Sequence, residues 1–231
     1  MRVLAIDTAL AACSAAVLDT AHGALNRGIV ASESLPMIRG HAEALMPLVA
    51  RVMEASGLAF TDLDRLVVTT GPGSFTGLRV GIAAARGLGL ATKIPVVGVS
   101  TLSAYAAPYL GVEDQSPVIA AIDARHRHVY LQVFSPDGRT LVSPRLAPLS
   151  EALTAAFASP ARIVGSAARA VADGRPATAA APLTVDERDA PDIGWVAQIG
   201  AVAPEAGAPP KPQYLRAPDA QPQYAAALPR R

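Results

Sequence analysis

The stretch TTGPGSFTGLRVGIAAARGLGLA, residues 69–91, decides the fold. It continues the apolar run RLVVTT at 65–70 and leads into another, IPVVGV at 94–99. Both runs are rich in branched residues, so the segment reads strand, tight glycine turn, helix, strand. Gly71 and Gly73 allow backbone angles that other residues resist. Ser74 and Thr76 supply hydroxyls to cap the new helix. Along it, Gly77, Gly81, Ala85 and Gly89 recur every fourth residue, which places four small residues on one face. Such a face suits tight packing onto the lobe's own sheet. It equally suits the close approach of another helix, within the chain or from a partner.

A glycine turn between strand and helix invites three phosphate or nucleophile motifs, and none is met. A P-loop requires GxxxxGK[ST], yet Thr76 and Leu78 stand where the second glycine belongs and no lysine follows. GxGxxG places its third glycine one residue before Gly77, and the next strand ends in Val99-Ser100 without an acidic residue for a ribose. GxSxG fails at Ser74, flanked two residues away by Pro72 and Thr76.

Outward from this segment, Arg2–Asp7, Ser14–Leu18 and the end of a strand at 28–32 precede a helix at about 38–56. In that helix His41, Leu45, Leu48, Val49, Val52 and Met53 recur at steps of three and four. Pro47 inside it is expected to kink it or displace its start. A short helix at 101–109 completes the order βββαβαβα. The order then repeats with strands at 118–123, 129–134 and 140–144, helix 149–158, strand 162–165, helix 166–173, strand 183–185, and a helix from Pro191 to about 202. Ala5-Ile6-Asp7 even matches Ala121-Ile122-Asp123. Repetition on this scale predicts an α/β chain of two similar lobes around a cleft. The expected division is residues 1–110 for the first lobe and 111–231 for a smaller second lobe plus a Pro-rich C-terminal arm.

Composition narrows the function. Net charge is +1 with only two lysines among 231 residues, so a chain that binds nucleic acid on its own is not expected. Cys13 is the only cysteine, which fits a reducing cytoplasm. The N-terminal apolar run is broken by Asp7 and reads as a buried strand, not a membrane or export segment. Asp7 and Thr8 end the first strand where a two-lobed phosphotransferase would hold a metal, and Asp123 is their mirror in the second lobe. A strand-end aspartate capping a turn explains Asp7 as well. After Asp123 comes Ala124-Arg125-His126-Arg127-His128, bulky and cationic, with no glycine to admit a phosphate. His126 and His128 share a strand face, but two histidines without a third ligand make a weak metal signal.

The pieces AIDTA (5–9), HAEALMPLV (41–49), TTGPGSFTGLRVGIAAARGLGLA (69–91), IPVVGVSTLSA (94–104), DARHRHVY (123–130) and YLRAPDA (214–220) together resemble the TsaB/YeaZ family of the bacterial threonylcarbamoyladenosine system. That family lies within the actin/sugar-kinase/Hsp70 architecture. The resemblance implies a non-catalytic dimerisation subunit for making N6-threonylcarbamoyladenosine at position 37 of tRNAs reading codons that begin with A. Its implied partners are a paralogous TsaD-like transferase and a TsaE-like ATPase, with self-pairing when alone and tRNA met only through the complex. No cofactor of its own is implied; ATP and Mg²⁺ serve the complex. The paralogue carries metal-binding histidines in the pattern HHLEGH, and Thr101 and Tyr105 stand at those positions here. The resemblance also implies an interface of the two first-lobe helices, through His41, Leu45, Leu48, Val49, Val52, Gly77, Leu78, Gly81, Ala85 and Gly89. Asp7, Thr8 and Asp123 then mark a vestigial nucleotide cleft. The other class of reading is a small kinase or ATPase using Asp7 for metal.

Overall fold

A computed structural model describes residues 1–22, 28–111, 115–156, 160–176, 178–205 and 207–216. Residues 112–114 of the expected boundary stretch, 157–158 of the expected fourth helix, and the arm beyond 216 lie outside the described residues. The first half runs β1 (Arg2–Asp7), β2 (Ala12–Asp19), β3 (Ile29–Pro36), α1 (His41–Ser56), β4 (Arg65–Gly71), α2 (Phe75–Thr92), β5 (Val96–Ser100) and α3 (Thr101–Ala106). The second runs β6 (Val118–Asp123), β7 (His128–Phe134), β8 (Thr140–Pro148), α4 (Leu149–Ala156), β9 (Arg162–Val164), α5 (Ala168–Asp173), β10 (Thr184–Asp186) and α6 (Ile193–Val202).

The duplication holds at the level of sheet topology. The first sheet has the order β3-β2-β1-β4-β5 and the second β8-β7-β6-β9-β10. In each, the first three strands pair antiparallel and the last two join parallel to the first. This is the expected two-lobed, actin-like α/β fold with mixed sheets. Alternation along β1 sends Leu4 and Ile6 toward α1 and α2, and Val3 and Ala5 toward the opposite face.

Three expectations need correction. Helix α1 begins at His41, not 38, because Gly40 takes φ 88° and a left-handed residue cannot continue a helix backwards. Pro47 still lies inside it, on the exposed side. Strand β3 runs on to Pro36; it is an edge strand, where a residue without an N–H is tolerated.

The third correction concerns the lobes. Helix α6 lies in the second half of the chain but packs on the first sheet, through Ile193, Val196 and Ala197 against Val3, Ala5, Ala16 and Val67. A Cβ on Gly200 would run into Val67, so the helix and β4 approach without a side chain between them. Arg65 then fixes the helix end, donating from Nη1 to the carbonyls of Gly200, Ala201 and Ala203 at 2.8, 3.1 and 2.7 Å. Conversely, α3 of the first half covers the second sheet with Leu102, Tyr105 and Ala106. The halves exchange helices, so residues 111–231 are not a self-contained second lobe.

Candidate functional site

The glycine turn is built around the end of β1. Asp7 is fully buried. Its Oδ1 accepts from Thr69 Oγ1 at 2.5 Å and from the Ala9 N–H at 2.9 Å, while Oδ2 has no partner among the described residues. Burial raises its pKa above the ordinary 3.8, although both hydrogen bonds and nearby His41 act the other way. Thr8, also buried, donates from Oγ1 to the Gly77 carbonyl at 2.7 Å. A Cβ on Gly77 would strike the Thr8 carbonyl, and one on Gly81 would strike the Thr8 hydroxyl. A Cβ on Gly73 would strike the Ala9 carbonyl, and one on Gly89 the Val96 side chain. The four-residue spacing of small side chains is therefore used inside the lobe, to lay α2 on Thr8 at the end of β1 and on β4 and β5. Asp7 and Thr8 lie beneath this turn and do not line the cleft, which removes both from the proposed vestigial nucleotide site.

The residues expected at a partner interface are likewise turned inward. Leu45, Leu48, Val49 and Val52 are buried in the core beneath α1, with 0–2% of their surface exposed. Leu78 and Ala85 are buried on the sheet side of α2. His41 is buried and its Nε2 lies 3.1 Å from the Leu10 carbonyl. The physical reason is the ordinary one: the strongest apolar stripe of an amphipathic helix faces its own sheet.

The faces that look outward are a different set. On α1 they carry Ala42, Met46, Pro47 and Ala50; on α2 they carry Phe75, Ala83, Gly87, Leu90 and Ala91. Leu90 is 84% exposed, Met46 44% and Phe75 43%. Ala83, Gly87 and Ala91 form a second four-residue line of small residues beside the buried one, and that line was the available signal in the sequence. Beyond Leu90 the face opens into an apolar hollow of about 540 Å³, bordered by Ile94, Pro95 and Pro209. At the other end, Phe75 meets Tyr214 of the C-terminal arm with ring centroids 5.0 Å apart. Arg79 lies 3.8 Å over the Phe75 ring and donates to the Tyr214 hydroxyl at 3.0 Å.

Between the lobes is a cavity of about 740 Å³. Ile38 and Gly73–Thr76 line it from the first lobe, Asp123, Arg125 and Ser166 from the second, and residues 213–216 of the arm from the rim. The arm is held at both sides: the Gln213 N–H donates to the Thr70 carbonyl at 2.7 Å, and Arg216 Nη1 to the Ala124 carbonyl at 3.0 Å. Asp123 alone of the expected cleft set lines the cavity, and its Oδ1 accepts from the Arg125 N–H at 2.8 Å. Thr101 and Tyr105 are buried, and the Tyr105 hydroxyl donates to the Arg188 carbonyl at 2.8 Å. His128 Nδ1 sits 2.9 Å from the His126 carbonyl. Among the described residues no group of three or more His, Cys, Asp or Glu side chains is placed to hold a metal.

Comparison with known proteins gives a consistent result. The family described as TsaD, tRNA N6-adenosine threonylcarbamoyltransferase, matches residues 26–186. The tRNA threonylcarbamoyladenosine biosynthesis protein TsaB of Escherichia coli is 40% identical over 137 residues, covering 59% of this chain and 56% of that protein. The match thus spans little more than half the length of that relative. An uncharacterised protein of Mycobacterium tuberculosis is 35% identical over 213 residues, covering 89% of this chain and 92% of its own length. Among solved structures, YeaZ from Pseudomonas aeruginosa superposes with a TM-score of 0.76 at 27% identity, over 93% of this chain and 99% of that one.

Proposed function

This chain belongs to the TsaD family, on its TsaB/YeaZ branch, and from that membership we propose that it is a partner subunit in the formation of N6-threonylcarbamoyladenosine at position 37 of tRNA. Its contribution is to dock a TsaD-like transferase, not to transfer the group itself. The observation that carries this reading is the outward face of α1 and α2. Met46, Phe75 and Leu90 are exposed there beside small residues that let a second pair of helices come close. Of the nine exposed large hydrophobic side chains among the described residues, five (Ile38, Met46, Phe75, Leu90 and Tyr214) lie on these helices or the segments that touch them. Exposed apolar side chains of this kind, on helices that also expose Glu43, Arg51 and Arg86, are what a protein partner covers.

The docked pair works in the cytoplasm with a TsaE-like ATPase, whose ATP hydrolysis uses Mg²⁺. The same face serves self-pairing when the transferase is absent. A kinase or ATPase that uses Asp7 for metal is disfavoured, because a carboxyl buried beneath the glycine turn cannot reach the cleft.

Reconstitution tests the role. Purified transferase, ATPase, pre-formed threonylcarbamoyl adenylate, ATP, Mg²⁺ and unmodified tRNA are combined with and without this chain, and the modified nucleoside is measured by mass spectrometry. Product that depends on the chain is expected. Equal product without it overturns the proposed role.

A further inference from the structure

The tip of the β6–β7 hairpin is the most unusual backbone in the described chain. Arg125, His126 and Arg127 have φ of 62°, 52° and 58°, three consecutive left-handed residues, and none is glycine. The only other non-glycine residue with positive φ among those described is Lys93. Side chains disfavour this region, so a turn of this kind persists only where its surroundings hold it. Here they do. The Asp123 carboxylate accepts from the Arg125 N–H, and the His128 N–H donates to the Arg125 carbonyl at 3.0 Å. The Leu149 N–H donates to the Arg127 carbonyl at 2.8 Å, and Arg216 reaches the Ala124 carbonyl from the arm. Glycine would take these angles without strain. The turn instead presents three cationic or protonatable side chains, all exposed.

The charges at the tip are also unpaired. Several other arginines that the structure describes pair with a carboxylate: Arg51 with Glu33, Arg65 with Glu205, Arg139 with Asp137, Arg188 with Asp186. Neither Arg125 nor Arg127 has a carboxylate within salt-bridge distance among the described residues. A strained, clamped turn that holds two unpaired guanidiniums and an imidazole into solvent is arranged for an anion outside the chain. Of the three residues only Arg125 borders the cavity between the lobes; His126 and Arg127 are exposed outside it, which suits a polyanion running past the tip better than a small phosphate held in a cradle.

We infer that the Arg125–Arg127 hairpin is a contact for the sugar–phosphate backbone of RNA. This rests on the reading of the chain as a subunit of a tRNA-modifying assembly. Arg125 lines the same cavity as Ser74, Phe75 and Thr76 at the start of α2. The hairpin therefore stands on the side of the molecule at which α2, one of the two proposed docking helices, begins. With net charge +1 and no basic stripe, the chain alone binds RNA weakly, and the contact positions the substrate without reading its sequence.

The test uses the full chain without its partner, so it stands or falls separately from the docking reading. Amide chemical shifts of the ¹⁵N-labelled protein are followed while an anticodon stem-loop RNA, inorganic phosphate or an oligoglutamate peptide is added at several salt concentrations. Expected are RNA-induced shifts centred on residues 124–128 that shrink steeply with salt. Arg125→Gln/Arg127→Gln removes them and leaves the rest of the spectrum unchanged, while Arg125→Lys/Arg127→Lys keeps them. Two phosphate contacts give wild-type binding a salt slope of log K of about −1.4 to −1.8. Shifts that fall elsewhere, that survive the glutamine variant, or that phosphate or oligoglutamate reproduces at equal concentration overturn the proposal.

Discussion

Asp7 shows how a residue type that signals catalysis can serve structure instead. Its carboxyl anchors the N–H of Ala9 and the hydroxyl of Thr69, which fixes the bend from β1 into the segment that receives α2. Burial favours the neutral acid in the folded state, so the folded pKa lies above the unfolded value near 3.8. Between those two values the folded chain binds the extra proton, and stability falls as pH rises. Asp7→Asn keeps the accepting oxygen and removes the titration. Thermal unfolding of both proteins across pH should show the variant gaining on the wild type as pH rises above about 4, and at least equal to it at neutral pH. A variant that loses ground with rising pH means that the charged carboxylate has a partner. The strand end itself was legible in the sequence, because Asp7 follows an unbroken apolar run. Its burial was not, because Thr69, which donates to its carboxyl, lies on β4, sixty-two residues further along the chain.

Helix α2 carries glycines of opposite character. Gly77 lies against the backbone of Thr8, where no side chain can yield, while Gly87 faces open space. Gly77→Ala should cost about 3 kcal/mol through forced separation of helix and strand. Gly87→Ala should stabilise the isolated chain by roughly 0.8–1 kcal/mol through helix propensity alone. Chemical denaturation of the two variants reads both signs, and a neutral Gly77→Ala would mean that the close approach of α2 to β1 is not required. Helix positions and the small-residue spacing were readable from local pattern. Which of two interleaved lines, 77-81-85-89 or 83-87-91, faced the sheet was not, because both are small and spaced by four. The deciding contacts come from β1, some seventy residues earlier in the chain. In α1 the strongest apolar line was legible as a face, but its destination was the lobe's own core.

At the scale of the molecule, the exchange of α3 and α6 welds the two halves. The repeat βββαβαβα was visible in sequence, and both sheets follow it. The exchange was not, since nothing local to Ile193–Val202 says which of two similar sheets it covers. Without α6, Val3, Ala5, Val67 and Val99 lose their cover and Arg65 loses three carbonyl partners. A fragment ending at residue 111 should therefore lack a cooperative unfolding transition, and the full chain should unfold in a single one. A fragment that melts cooperatively would show that the first half is independent.

Docking of a TsaD-like transferase on the outward face of α1 and α2 is read by isothermal titration of the transferase with outer-face variants. Met46→Glu and Leu90→Glu alter exposed side chains, so the variants keep the wild-type circular dichroism and melting temperature. The account predicts that each weakens the heterodimer at least about tenfold, a loss of about 1.4 kcal/mol or more, and that the pair together abolishes measurable heat of binding. Wild-type affinity in the doubly substituted, correctly folded chain would contradict it.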